Sequence, residues 1–300
     1  MLGSILLALT VAVTVDDLPL AGAEQGSNGS TAQLVSVNKA IVETLKKRRI
    51  PAIGFVNEVR LEVNGKVDPE RTAALAGWLT GGLELGNHTY SHPSLHKVSR
   101  PTYETDILNG ERVLRPLISK HGGTLRWFRH PYLQTGRDLE TKRGVEAFLT
   151  EHGYRVAPVT IDNGEWIFSR AYSRAKKAER KKIADEYVAY MDRKTDYWER
   201  SARHLFGRDI PQVLLVHANT LNADHLDRIV AMLEKRGYRF VTLETAVADA
   251  AYQSPDTFVG GGGISWLHRW TLTKSGREAV LPDEPEVPTW VKQAANIASE

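Results

Sequence analysis

The chain has 300 residues, 42% hydrophobic and 25% charged, the proportions of an ordinary globular protein with material for a full-sized core. Its formal charge of +3 is small for this length and gives no support to a nucleic-acid-binding role. It has no cysteine, so disulfides and thiolate metal sites are excluded, and any metal must be held by His, Asp or Glu.

An apolar run, Ile5 to Val15, comes first. It has no basic n-region, and no small-residue cleavage site separates it from Asp16 and Asp17, so it reads as a buried strand rather than a signal peptide. It is too short to span a membrane, and no transmembrane segment is expected. Ser36–Arg49 carries Val37, Ala40, Ile41 and Leu45 at helical period. Ala52–Val56 reads as a second strand. Asp68-Pro69-Glu70 opens another helix, with an N-cap followed by proline at the first position. Strands are expected at Leu83–Gly86, Leu125–Phe128, Arg155–Ile161, Val213–Val216 and Phe240–Leu243, beside the first at Thr10–Val15. Helices are expected over Thr102–Lys120, Leu139–Glu151 and Ala223–Arg236, the last stopped by Gly237.

Strand–helix alternation of this kind argues for a parallel sheet, and about seven units suit a barrel better than an open sheet. Two stretches fall outside it. Tyr172–Leu205 is a long, charged helical insertion, and its basic run Lys176–Lys182, broken by Glu179, reads as a solvated helix face. The tail after Tyr252 carries Gly260–Gly263, then Trp266, His268 and Trp270, then a Pro- and Glu-rich end. One domain is expected: a barrel over 1–252, with the insertion at about 172–205, and an extension over 253–300 packed on it.

Parallel barrels place catalytic groups at the C-terminal ends of their strands. Asp16 and Asp17 end the first expected strand, His88 and His92 follow the third, Arg129 the fourth, Asp162 the fifth and His217 the sixth. In His88-Thr89-Tyr90-Ser91-His92, two histidines four apart on a helical turn share a face and can share a metal. The second position is Thr rather than Glu, so the base must come from elsewhere. One of the paired aspartates can complete a His-His-Asp site while the other takes a proton from water. Singly, each residue has a plain structural alternative: the Asp pair a turn or cap, Asp162 an Asx turn with Asn163-Gly164, Arg129 a surface arginine, Trp166 a core side chain, His217 a satisfied strand end. His96, His121, His130, His152, His204, His225 and His268 are assigned structural or solvent roles.

Five segments in order resemble the NodB-homology polysaccharide deacetylases, which include chitin and peptidoglycan N-deacetylases and acetylxylan esterases. They are TVDDLP (Thr14–Pro19), HTYSHPSL (His88–Leu95), RHPY (Arg129–Tyr132), DNGEW (Asp162–Trp166) and LLVH (Leu214–His217). The resemblance implies a distorted, partly closed (β/α) barrel and hydrolysis of acetyl groups from a carbohydrate. It implies that Asp17, His88 and His92 hold one divalent ion, zinc or alternatively cobalt, nickel or manganese. Asp16 would be the general base, paired with Arg129, and His217 the general acid, held by Asp162. The Tyr132 N–H would stabilise the oxyanion, a contribution of about 3 kcal/mol for one such donor. Trp166 and Leu214 would wall the acetyl pocket. Glu165 stands where the family has Asp before Trp166, Ala218 where Asp is common after His217, and His130 at the variable position of the third motif, where it could add a titrating group to the rim. O-deacetylation of acetylxylan or a small ester is the alternative activity, and an inactive carbohydrate-binding protein of the same fold a more remote one. Trp266, Trp270 and Trp290 could line a sugar subsite or simply pack the tail. The family implies secretion or the cell envelope; oligomeric state has no signal.

Overall fold

The computed structural model describes residues 9–21 and 29–298. Its central strand is β1 (Thr10–Leu18), and residues 5–8 of the apolar run before it lie outside the described residues. Val11 to Asp16 are all buried, as in a parallel strand covered on both faces. After it come α1 (Thr31–Lys47) and β2 (Ala52–Val56), then a hairpin of β3 (Glu62–Val63) and β4 (Lys66–Val67). Helix α2 (Pro69–Thr80) starts as its sequence requires: the Asp68 side chain accepts from the N–H groups of Glu70 and Arg71. The chain continues through β5 (Glu84–Asn87), α3 (Arg100–Asn109), α4 (Leu114–Lys120), β6 (Trp127–Phe128), α5 (Leu139–Glu151) and β7 (Arg155–Val156). The single helix expected over Thr102–Lys120 is thus two, parted at Gly110, where an added Cβ would lie 2.8 Å from the carbonyl carbon of Thr89. A glycine is needed there because the chain passes against the loop that carries the paired histidines.

Helices α6 (Glu165–Arg174) and α7 (Lys177–Phe206) then lead to β8 (Gln212–His217), α8 (Thr220–Lys235), β9 (Arg239–Phe240) and α9 (Leu243–Val247). The charged stretch is therefore mostly one 30-residue helix, α7. It is not solvated all round: Ile183, Tyr187, Tyr190, Met191, Tyr197 and Trp198 form a buried stripe at helical spacing. The tail adds α10 (Trp266–Ser275) and α11 (Thr289–Ala294).

The strands run parallel in the order β7-β6-β5-β2-β1-β8, with β9 against the start of β1, and curl into a half-barrel surrounded by helices. The strand expected over Arg155–Ile161 stops at Val156, and Pro158, which has no N–H to donate, follows it closely. The segment beyond reaches β8 irregularly. Thr160 and Ile161 donate to the Val213 carbonyl at 3.0 Å, and Ile161 bridges to Leu214. The tail covers this seam: the Trp266 N–H donates to the Val159 carbonyl at 2.8 Å, and the Ser265 hydroxyl to that of Thr160 at 2.9 Å. Trp266 and Trp270 are buried in the main core, and Trp290 lies under Lys182, 4.4 Å from its Nζ. Trp266 and Trp270 thus pack the tail onto the barrel beside the irregular segment that joins β7 to β8.

If the extension shares the barrel's core, Trp270→Ala should lower unfolding free energy by about 3–5 kcal/mol. Urea unfolding followed by circular dichroism would measure this; a loss under about 1 kcal/mol would show that the tail only rests on the surface.

Candidate active site

Everything chemical gathers at the C-terminal ends of the strands. β1 delivers Asp16 and Asp17 together, with Asp17 in the left-handed region (φ 65°), a conformation Asp tolerates better than most residues. That turn lets neighbouring carboxylates face different partners. Asp17 Oδ1 lies 3.4 Å from His92 Nε2 and 3.7 Å from His88 Nε2. Asp16 Oδ2 lies 3.8 Å from Arg129 Nη1, and also 3.8 Å from His88 Nε2. Arg129 is fully buried, stacked 4.8 Å from the Phe55 ring, and its Nη2 donates to the Thr14 hydroxyl at 2.9 Å. Thr14 donates in turn to the Leu214 carbonyl at 2.7 Å, fixing the arginine against the sheet.

The paired histidines do not sit on a helical turn. They flank an irregular loop in which Thr89 (φ 68°) and His92 (φ 60°) are both left-handed. A β-branched residue there is strained, and the surroundings hold it. Asn87 Oδ1 accepts from the Thr89 N–H at 2.7 Å, Asn57 donates to the His88 carbonyl at 2.6 Å, and Asp106 accepts from the Ser91 N–H at 2.9 Å. His88 Nδ1 is 2.8 Å from the Arg129 carbonyl. A carbonyl can only accept, so Nδ1 carries the proton and Nε2 presents its lone pair to Asp17.

Among the described residues, Asp17, His88 and His92 form a group whose ligand atoms all lie within 4.8 Å of one another. Their protonation states suit a cation. Burial is the largest single influence on Asp17 and raises its pKa, but the Arg60 guanidinium, 3.6 Å away, and the surrounding histidines together outweigh it and hold the carboxyl below its usual range. Burial holds both imidazoles below theirs, and so neutral. Asp17 Oδ1 is buried with no hydrogen-bond donor, an orphaned acceptor facing the Nε2 atoms of both imidazoles. One carboxylate and two neutral histidines are a fitting donor set for a divalent first-row ion with positions left open.

On the opposite side, His217 ends β8, but its partner is not Asp162. Its Nδ1 lies 2.7 Å from Oε2 of Glu165, which is fully buried. The other oxygen, Oε1, accepts from Asn219 at 2.5 Å and from Asn222 at 3.0 Å, and Tyr187 donates to Asn222 at 2.9 Å. Glu165 sits in the first turn of α6, and its longer side chain spans the distance to the imidazole. The sequence signal was Glu165 itself, next to Trp166 at a carboxylate position; the asparagines gave none. Burial pushes the His217 pKa down, but the Glu165 hydrogen bond and charge, helped by Asp17 and Asp16, bring it up to about 9. Asp16 is pushed up to about 6 by burial, against the pull of Arg129 and His217. Asp162 stays at the cleft, where it accepts from the Asn163 N–H at 2.9 Å and its charge acts on the buried Arg129.

Asp16, Asp17, His88, His92, Asp162 and His217 line a cleft of about 560 Å³, with Arg129 and Glu165 buried behind them. Tyr132 (56% exposed) and Trp166 (45%) present aromatic faces to it. Leu214 does not wall it; Leu215 does, because alternate strand residues share a face and Leu215 lies two before His217. Leu214 is buried in the core instead. His130 is not a rim titrator. It is buried, stacked 6.1 Å from Tyr103, and burial with nearby Arg269 and Lys142 pushes its pKa down to about 3.

Known proteins match the chain at two levels. The family model described as polysaccharide deacetylase matches residues 8–157, half of the sequence. A peptidoglycan-N-acetylglucosamine deacetylase of Bacillus cereus is 26% identical over 209 residues, 68% of this chain and 60% of that protein, so the chain spans less than two thirds of that relative's length. A CE4 family pseudoenzyme from Bacillus anthracis superposes with a TM-score of 0.50 at 16% identity, over 80% of this chain and 66% of that one. A peptidoglycan N-acetylglucosamine deacetylase structure superposes with a TM-score of 0.50 at 23% identity, over 79% and 87%. At such identities the superpositions establish the fold alone.

Chelator-treated protein dialysed against cobalt should take up one ion per chain. Asp17→Asn or His92→Ala should weaken uptake at least about tenfold, the lower end of what even outer-shell changes cost a metal site. Equal uptake by these variants, read by metal analysis, would place the site elsewhere.

Proposed function

Because the chain belongs to the polysaccharide deacetylase family, we propose that it is a metal-dependent hydrolase that removes N-acetyl groups from a polysaccharide. The observation that carries this is the division of labour between adjacent carboxylates: Asp17 faces both imidazoles, and Asp16 faces Arg129. Held by Asp17, His88 and His92, a divalent ion, zinc first, would supply Lewis acidity, drawing the pKa of water from about 15.7 towards roughly 7 and polarising a carbonyl.

The chain's own residues would carry the rest. Asp16, kept in place by Arg129, takes the proton from water as its oxygen bonds to the acetyl carbon. The carbonyl oxygen, gaining charge, accepts from the Tyr132 N–H. His217, held through Nδ1 by Glu165, gives a proton to the sugar nitrogen as the C–N bond breaks, and a free amine and acetic acid leave, the acid losing its proton to solvent as acetate. Asp16 passes its proton to solvent and His217 is recharged from it. An amine leaves only when protonated, so a histidine that buried Glu165 holds in its cationic form supports amide cleavage over ester cleavage. Exposed Tyr132 and Trp166 suit stacking against sugar rings. The Bacillus cereus relative is named for peptidoglycan N-acetylglucosamine, so a polymer containing that sugar, at the cell envelope, is the proposed substrate.

Acetate release from chitin oligomers, peptidoglycan and acetylated xylan tests this. Asp16 works ionised and His217 protonated, so kcat/KM should rise through the Asp16 pKa and fall through that of His217. A bound dication favours the ionised form of Asp16 and weakens the pull of Asp17 on His217, so the limbs should fall at or below about pH 6 and pH 9. Asp16→Asn should cost roughly 10²–10⁴-fold, and Glu165→Gln should move the basic limb to lower pH. Release from acetylated xylan alone would make the protein an esterase; no release with metal bound would make it an inactive member of the family.

A further inference from the structure

We propose that Arg269 and Gly263, in the C-terminal extension, are positioning residues that hold the Tyr132 peptide in its working orientation; this rests on the deacetylase function proposed above. Two neighbouring non-glycine residues of the RHPY loop, Tyr132 (φ 55°) and Leu133 (φ 53°), are left-handed. Such a conformation persists only where the surroundings over-determine it. The family model ends at residue 157, and the restraint comes from far beyond it.

Arg269, on α10, is buried and aimed at this loop. Its Nη2 donates to the Leu133 carbonyl and its Nη1 to the Thr135 hydroxyl at 2.6 Å, while Nε donates to the Ile264 carbonyl at 3.1 Å. The guanidinium fork thus joins loop and tail in fixed geometry. Asp256 balances the charge at 3.4 Å and also pairs with the buried Lys142 at 2.7 Å. The second contact is independent. An ideal Cβ on Gly263 would lie 1.6 Å from the Tyr132 carbonyl oxygen and 2.7 Å from its carbon, so the bare backbone at Gly263, the last residue of the Gly260–Gly263 strap, lies directly against the peptide that follows the oxyanion donor. Gly263 also lines the catalytic cleft. The strap is anchored by His96, whose ring meets the Gly261 carbonyl at 3.2 Å, and by Trp266 at the barrel seam. On its other side, the Tyr132 ring meets the edge of His92 at 4.5 Å between centroids. The tail therefore reaches from the closure of the barrel to the donor of the oxyanion site.

Arg269→Lys keeps the charge but cannot span Leu133 and Thr135 with a fork, and Gly263→Ala pushes the strap off Tyr132. Each should lower kcat on the acetylated polymer by about tenfold or more, with KM within about twofold, because displacement of a catalytic group by a fraction of an ångström acts on the transition state. Cobalt affinity should match wild type, and hydrogen–deuterium exchange over residues 130–136 should quicken. Gly263→Ala retains every buried charge, so it decides the matter if Arg269→Lys folds poorly. Unchanged kcat and unchanged exchange in both variants would overturn the proposal while wild-type activity upheld the function. If the wild type releases no acetate, the function fails separately, and exchange over 130–136 still decides whether the strap holds the loop: faster exchange upholds it and unchanged exchange overturns it.

Discussion

Two adjacent carboxylates end a buried strand, and the barrel mouth is organised around their charge. Burying one ionised carboxylate without compensation is prohibitive, and Asp16 and Asp17 lie side by side with little solvent. The fold offsets this with Arg129 just after β6, Arg60 from the turn after β2 and His217 from β8. The compensation is uneven, and the unevenness is chemically useful. Asp17 is held ionised, with an oxygen that accepts no hydrogen bond; Asp16 is pushed towards the pH range in which a base can both take and return a proton. A cation at Asp17 would complete the compensation, so metal binding and charge burial answer the same physical demand.

The opposite wall shows how a changed residue can be absorbed. Glu165 carries one methylene more than the aspartate of the family pattern, and its extra reach is taken up by burial at the first turn of α6. Asn219 and Asn222 fill the oxygen that His217 leaves, and Tyr187 fixes Asn222. The long helix α7 thereby acquires a task, since it supplies Tyr187 to this network as well as a buried face to the core.

Much of the architecture was legible in local chemistry. β1 and β2 are runs of β-branched and apolar residues, and Asp68-Pro69 marks a helix start in sequence and in space. Asp16, Asp17, His88, His92, Arg129 and His217 fall at the ends of strands that parallel packing brings to one mouth. What escaped depends on long-range geometry. Nothing in HTYSH itself announces the left-handed backbone at Thr89 and His92, which Asn57, Asn87 and Asp106 hold from elsewhere. Asp162 and Glu165 are both plausible partners for His217 by spacing, and only the start of α6 decides between them. Leu214 and Leu215 differ by one residue of strand register, which exchanges core for cleft. The burial of Trp266 and Trp270 follows from the seam after Pro158, where sequence pattern suggested an unbroken strand.

The division between Asp16 and Asp17 is the centre of the account, and a crystal structure of the zinc-loaded protein, with anomalous scattering collected at the zinc edge, tests it most directly. The expected result is one ion bonded to His88, His92 and Asp17, at about 2.0–2.2 Å from their nitrogens and oxygen, with Asp16 outside its ligand sphere and still facing Arg129. An ion that takes Asp16 as a ligand, or one bound away from the two histidines, would contradict it.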